Sequence, residues 1–270
     1  MRPLAQLPRE EAAHLHGLVF DLDDTVLDHG ALGEAAYSAL FRMREAGLRL
    51  IACTGRPAGW GEVLMRQWPV DAVVVENGAL AFVAETPAEG APRRLVALDT
   101  VAPEERRARR GVLLELAHEL VARFPAAGLA DDNGARLTDV TLDVGEHRRV
   151  DASTIRRIRE AAAHAGVRTL VSSIHLHLSF EADDKASGTV RLLTERFGED
   201  ATGALFRWAF AGDSANDAAA FAAFRTTFGV ENVVRHLRGL TVPPRYLAGA
   251  PMGRGFAELA TRLVGLRTPA

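Results

Sequence analysis

Lysine is nearly absent from this chain: of its 32 basic residues, every one except Lys185 is arginine. Cysteine is as scarce, and the lone Cys53 excludes an internal disulfide and fits a reducing compartment. There is no large charge excess either. At a net charge of -3, no sequence-wide basic field draws in nucleic acid or an anionic membrane surface, so neither is an expected partner. Long apolar runs are missing too, and none approaches the roughly 20 residues that span a bilayer. Met1 to His16 carries Arg2, Arg9, Glu10 and Glu11 where a signal peptide needs a continuous apolar core. A cytoplasmic location is the expectation.

What is present fits a globular protein of one large or two smaller domains: 270 residues, 48% hydrophobic and 25% charged. Short apolar runs at Leu18 to Leu22, Leu48 to Ala52, Ala72 to Val75 and Trp208 to Ala211 alternate with helical patterns. That alternation predicts βαβ units and a Rossmann-like, doubly wound parallel sheet, an α/β fold. A helix is expected over Glu34 to Ala46, stopped by Gly47, with Pro57 opening the next one.

After Asn77-Gly78 the pattern changes. Leu80 to Ala84 and Arg93 to Leu98 read as a hairpin around a Pro/Gly-rich turn, followed by a long helix from Pro103 to Phe124. Period-2 alternation then puts Val140, Leu142 and Val144 on one face and Thr141 and Asp143 on the other, as in a half-solvated antiparallel strand. A helix from Ser153 to His164, capped by Asp151 or Ser153, leads to strands at Arg168 to Ser172 and Ile174 to Phe180. Residues 84 to 183 are therefore expected to form an α+β domain inserted into a core made of 1 to 83 and 184 to 270.

Four polar clusters fall at the ends or starts of core elements: Asp21/Asp23, Thr54-Gly55-Arg56, Lys185, and Gly212 to Asp217. In open α/β sheets the carboxyl ends of the strands face one crevice, so these clusters converge. Phosphoryl transfer needs an in-line nucleophile, a cation, hydrogen-bond donors and a proton shuttle. Asp21 suits the nucleophile, through an aspartyl-phosphate, and Asp23 can protonate the leaving oxygen and later activate water. Asp213 and Asp217, four residues apart, can join Asp21 around one Mg²⁺, a hard cation that takes carboxylates and phosphate oxygens. Lys185 balances the negative excess, Thr54 offers a hydroxyl, and Gly55 admits close backbone approach. Arg56 reads equally as a fork to phosphate or substrate and as a salt bridge to the inserted domain.

These clusters resemble, in order, the four motifs of the haloacid dehalogenase superfamily: Asp21-Leu22-Asp23-Asp24-Thr25, Thr54, Lys185, and Gly212-Asp213-Ser214-Ala215-Asn216-Asp217. The resemblance covers about residues 17 to 83 and 184 to 266. The inserted segment, and Glu76-Asn77-Gly78-Ala79 before it, are similar to the type IIB cap branch, which includes sucrose-phosphate, mannosyl-phosphoglycerate and trehalose-phosphate phosphatases. The resemblance implies Mg²⁺-dependent hydrolysis of a small phosphorylated metabolite such as a sugar phosphate. It also implies phosphate binding by Thr54, Gly55, Lys185 and Asn216, and a metal site of Asp21, Asp213, Asp217 and the main-chain carbonyl of Asp23. Many capped relatives carry Gly where Asp24 stands and follow the lysine with Gly, where this chain has Ala186.

Two alternatives stand beside hydrolysis: a phosphomutase of the phosphomannomutase type, and a phospho-ligand binding protein without catalysis. Asn77 reads as a turn residue or a substrate-facing group. His175 and His177 share one strand face and read as substrate contacts, a metal pair or ordinary cap residues. Arg106, Arg107, Arg109 and Arg110 read as a solvated helix face with local ion pairs. Cys53 reads as a small buried thiol. Oligomeric state has no signature in the sequence.

Overall fold

The computed structural model describes residues 1–85, 94–172 and 174–267. Its larger sheet has nine strands in the order Arg2–Pro3, Tyr246–Leu247, Thr226–Gly229, Trp208–Gly212, Gly17–Phe20, Arg49–Cys53, Ala72–Val75, Leu80–Glu85 and Arg94–Leu98. Pairing is parallel as far as Ala72–Val75 and antiparallel for the last two strands. Gly17–Phe20 lies between Trp208–Gly212 and Arg49–Cys53, so connections depart from it towards both sides of the sheet. That is the switch point where α/β sheets open a crevice at the strands' carboxyl ends.

Burial explains why the central strands read as continuous apolar runs rather than alternating ones: Leu18, Val19 and Phe20 are all fully buried, as are Val73, Val74 and Val75. One face packs under helices Glu34–Glu45 and Met252–Arg267, the other under Lys185–Arg196 and Ala218–Ala223. The helix Glu34–Glu45 opens where expected and ends at Ala46, before Gly47 at φ +81°. The helix over Ala201–Arg207, capped by the Asp200 carboxylate, is an element that the hydrophobic periodicity did not announce.

The smaller sheet is antiparallel, in the order Arg168–Val171, His175–Ser179, Asp139–Asp143 and Gly128–Leu129. Helices Pro103–Arg123 and Ala152–His164 cover its apolar face, burying Leu113, Leu120, Val140, Leu142, Ile158, Leu176 and Leu178 in a core of their own. Asp151 caps the second helix by accepting from the main-chain N–H of Ser153 and Thr154.

Two features differ from the sequence expectation. Arg94–Leu98 lies within the span 84 to 183 assigned to the insertion, yet it pairs with Leu80–Glu85 and lengthens the large sheet; the turn of this hairpin lies outside the described residues. The polar face of Asp139–Asp143 is buried instead of solvated, because polar partners cover it: Asp139 lies on Arg136 and His177, Thr141 on Asp132 and Asn133, and Asp143 on the main-chain N–H of Gly145, Glu146 and His147. Among the described residues no helix is long and apolar enough to cross a membrane.

Candidate active site

Asp21 follows the last residue of the central strand, and its main-chain N–H still donates to Ala211 of the neighbouring strand at 2.9 Å. Asp213 follows the last residue of that neighbour, Trp208–Gly212. The short helical turn Ala215–Asp217 folds back, so that Asp217 Oδ2 accepts from the main-chain N–H of Asp213 and Ser214, at 2.9 and 3.1 Å. Ligand oxygens of Asp21, Asp213 and Asp217 thus lie within 4.8 Å of one another.

Lys185 enters at the first turn of its helix, which lies on the same face of the sheet as Ala218–Ala223 and which the Asp184 carboxylate caps with a capping box. Close approach allows this: a Cβ on Gly188 would meet the Gly78 carbonyl oxygen at 2.2 Å, and Gly78 sits at φ +108°. The ammonium donates to Asp21 Oδ1 at 2.6 Å and to Asp217 Oδ1 at 2.7 Å, with no exposure of its side chain to solvent.

One lysine does not balance three carboxylates. Burial, reinforced by Asp217 and Asp23 and opposed by Lys185, pushes Asp21 up to about 7. Burial, with Asp217 and Asp21 as neighbours, pushes Asp213 up to about 9. A carboxylate cluster whose acids resist ionising for want of positive charge is a donor set suited to a hard divalent cation, so the residues present fit Mg²⁺. Asp213 is further held by Thr25 Oγ1 at 3.2 Å and Asn232 Nδ2 at 2.8 Å.

The Asp23 carboxylate does not join the cluster. Arg56 grips it with Nε at 3.0 Å from both oxygens and Nη2 at 2.5 Å from Oδ1, and the guanidinium lies 3.9 Å over the Trp60 ring. The salt bridge from Arg56 is therefore to Asp23 and not to the inserted domain. Asp24 stands at φ +56°, the left-handed region that glycine favours, which accounts for the residue type of other capped chains at this place. Its carbonyl accepts from Asn232 at 3.0 Å.

Thr54 is buried, and its hydroxyl accepts from Arg56 N–H at 3.0 Å, which leaves the hydroxyl proton to donate. Asn216 Oδ1 accepts from Ser214 Oγ at 2.6 Å, and the residue lines the crevice beside Gly55. Cys53 is a buried thiol that burial pushes up to about 12, which suits packing rather than reactivity.

The smaller sheet closes the crevice from above. Arg136 Nη1 reaches across to the Gly55 carbonyl at 3.0 Å while pairing with Asp132 and Asp139. Asp139 Oδ2 lies 2.7 Å from His177 Nδ1, and His175 Nε2 lies 2.9 Å from Glu146 Oε2. The two histidine rings are 6.1 Å apart, and each faces a carboxylate. Among the described residues they do not belong to a cluster of metal-ligating geometry. Asn77, at φ +57°, has its Nδ2 3.4 Å from His177 Nδ1. Of the arginine run, Arg107 and Arg109 make the expected local pairs with Glu104 and Glu105, but Arg106 is buried against Asp99 and Glu181, and Arg110 donates to the Asp139 and Asn133 carbonyls.

Glu76, Arg136, Asp139, Thr25 and Asn232 were not singled out by sequence reasoning. Thr25 left a trace as the last residue of the first motif, and Glu76 as part of the Glu76-Asn77-Gly78 turn, where three successive residues have positive φ.

Residues 18–89 match the family model of the haloacid dehalogenase-like hydrolases. Over that segment the sequence is haloacid dehalogenase-like. Among solved structures, a Thermoplasma acidophilum protein covers 92% of this chain and 98% of its own, at 16% identity and a TM-score of 0.70. A phosphatase of the haloalkanoate (HAD) enzyme superfamily from Bacteroides thetaiotaomicron covers 96% and 98%, at 14% identity and TM-score 0.64. The sucrose-phosphatase of Synechocystis, solved with sucrose and phosphate, covers 92% and 98%, at 15% identity and TM-score 0.61. No curated protein matches the chain in sequence. The haloacid dehalogenase-like match takes in the first two polar clusters, and the Lys185 and Asp213 clusters join them through the fold.

Proposed function

We propose that the chain is a Mg²⁺-dependent phosphatase of the cytoplasm, acting on a small phosphorylated metabolite of the sugar-phosphate kind. The observation that carries this reading is the convergence of Asp21, Asp213 and Asp217 on one another at the carboxyl ends of adjacent strands, with Lys185 paired to Asp21 and Asp217. The catalytic core is residues 1–83 and 184–270 with 84–85 and the strand at 94–98 added, and residues 99–183 are the cap that covers the site.

Asp21, Asp213, Asp217 and the main-chain carbonyl of Asp23 would hold Mg²⁺, which neutralises phosphoryl charge when bound. Lys185 holds Asp21 by one oxygen, leaving the other to attack phosphorus in line. As the Asp21–phosphorus bond forms, the bond to the leaving oxygen breaks, and that oxygen takes a proton from the Asp23 carboxyl. Asp23, then ionised, takes a proton from water, whose oxygen displaces Asp21 and releases phosphate. Thr54 and the Gly55 and Asn216 region donate to the phosphoryl oxygens, and the cap keeps bulk water out.

The test is phosphate release from p-nitrophenyl phosphate. Activity with Mg²⁺, its loss in excess chelator and its loss in Asp21→Asn are expected. Equal activity of Asp21→Asn would sink the mechanism. Interconversion of sugar phosphate isomers with no phosphate released would identify a mutase instead.

A further inference from the structure

Asn232 stands 19 residues beyond Asp213, in the short helical segment Glu231–Gly239 and outside all four polar clusters. It is buried, and every polar atom of its side chain is used. Nδ2 donates one proton to Asp213 Oδ2 at 2.8 Å and the other to the Asp24 carbonyl at 3.0 Å, while Oδ1 accepts from Met252 N–H at 3.0 Å. A main-chain N–H can only donate, so the Met252 contact fixes which end of the amide faces Asp213.

The two groups that Nδ2 joins belong to different loops. Asp213 follows the strand Trp208–Gly212, and Asp24 lies in the loop after Gly17–Phe20, one residue beyond the Asp23 carbonyl assigned to Mg²⁺. Both ends of this bridge need holding. Asp24 stands at φ +56° and Met252 at φ +50°, where a Cβ is unfavourable, and each is tied to the same amide. On its other oxygen Asp213 accepts from the buried Thr25 hydroxyl at 3.2 Å, so the carboxylate is gripped from both sides. Removing a group that orients a metal's ligands in this way typically costs about 10- to 100-fold in metal affinity.

We infer that Asn232 is a positioning residue for the metal site: it sets the separation between the Asp213 carboxylate and the main chain at Asp23 and Asp24 that one divalent cation has to bridge. The inference rests on the reading of these groups as Mg²⁺ donors, and it adds a residue that never touches the ion. An amide suits the task because it brings two donors and no charge. A carboxylate in its place would face Asp213 with like charge, and an apolar side chain would leave the Asp24 carbonyl unpaired.

The experiment measures the Mg²⁺ Kd of the substrate-free protein from the rise of its thermal-unfolding midpoint with Mg²⁺ concentration. Asn232→Ala should weaken Mg²⁺ binding by about tenfold or more, and Asn232→Ser, whose hydroxyl still donates, by less. Glu258→Ala serves as the control. It removes the carboxylate that accepts from Gly249 N–H at 2.9 Å, just ahead of the same helix, and should leave the Mg²⁺ Kd unchanged. With p-nitrophenyl phosphate, the Mg²⁺ concentration for half-maximal rate should rise in Asn232→Ala in parallel with the Kd, and kcat at saturating Mg²⁺ should fall less. An Asn232→Ala protein that is less stable but binds Mg²⁺ within twofold of the wild type overturns the inference, because the contact is then structural only. Failure of both Asn232 variants to fold at any Mg²⁺ concentration overturns it in the same sense. A wild type whose unfolding midpoint ignores Mg²⁺ would instead overturn the metal reading on which the inference stands.

Discussion

Glu76 Oε2 accepts from both the main-chain N–H and the hydroxyl of Thr138, each at 2.6 Å, so a buried core carboxylate holds the cap just ahead of its strand Asp139–Asp143. The same carboxylate accepts from Ala58 N–H of the core and from Leu137 and Asp139 N–H of the cap. An acceptor of this capacity is available only to a carboxylate; an amide would turn a donor towards some of these N–H groups. Glu76→Gln should destabilise the protein by about 2 kcal/mol or more, since each buried donor left unsatisfied costs about 1–3 kcal/mol. Denaturant unfolding measures this, and Thr138→Val should cost less, because it removes one hydroxyl and leaves the N–H bonds.

The buried Lys185 leads to a chemical prediction. With a single lysine in the chain, amine-directed acetylation has two targets, Lys185 and the amino terminus. The Lys185 ammonium is wholly enclosed between Asp21 and Asp217, which hold its pKa well above the usual lysine range despite the opposing effect of burial. Intact-mass analysis should therefore find one label on the native chain and two after unfolding. A native chain labelled at Lys185 would place that side chain outside the site.

Arg56→Lys should impair turnover although charge is kept. The guanidinium meets both Asp23 oxygens and lies over Trp60, neither of which a point ammonium reproduces. Losing a charge-assisted contact worth about 1.5–3 kcal/mol predicts a fall in kcat/KM of roughly 10- to 100-fold on p-nitrophenyl phosphate. A larger fall in kcat than rise in KM would assign the contact to the chemical step.

Acidification should loosen the cap through His177. Burial holds this ring below its ordinary value of 6.5, with Asp139 opposing. Between the folded value and 6.5 the unfolded chain binds the extra proton, so the stability contributed by the neutral ring is complete above 6.5 and is lost as pH falls below it. Thermal unfolding from about pH 7 to about pH 5, the range in which histidine titrates, should show a decline that is shallower in His177→Gln. Parallel curves for the two proteins would refute the assignment.

Much of the core could be read directly. The strands at Gly17–Phe20, Arg49–Cys53, Ala72–Val75 and Trp208–Gly212 are continuous apolar runs because both faces of the sheet are covered, and each run carries its own signal. Cap strand Asp139–Asp143 shows the limit. Its alternation marked two faces correctly, but periodicity reports that faces differ, not what covers them, and the polar face proved to be buried under hydrogen-bond partners from neighbouring turns. Arg94–Leu98 shows another: a hairpin is legible locally, while the sheet it joins is not.

The sequence by itself determined which residue types stand at the carboxyl ends of the core strands. It made Asp21, Asp23, Thr54 and Asp213 neighbours in any sheet of that topology, with Lys185 conspicuous as the one ammonium in an arginine-rich chain. Only the tertiary structure decided how they are paired. Arg56 on Asp23, Asn232 on Asp213, Arg136 on the Gly55 carbonyl and Glu76 on Thr138 join residues 19 to 81 positions apart. Buried polar groups must find partners, but that requirement is met by whatever lies within about 3 Å in space, a distance that spacing along the chain does not encode.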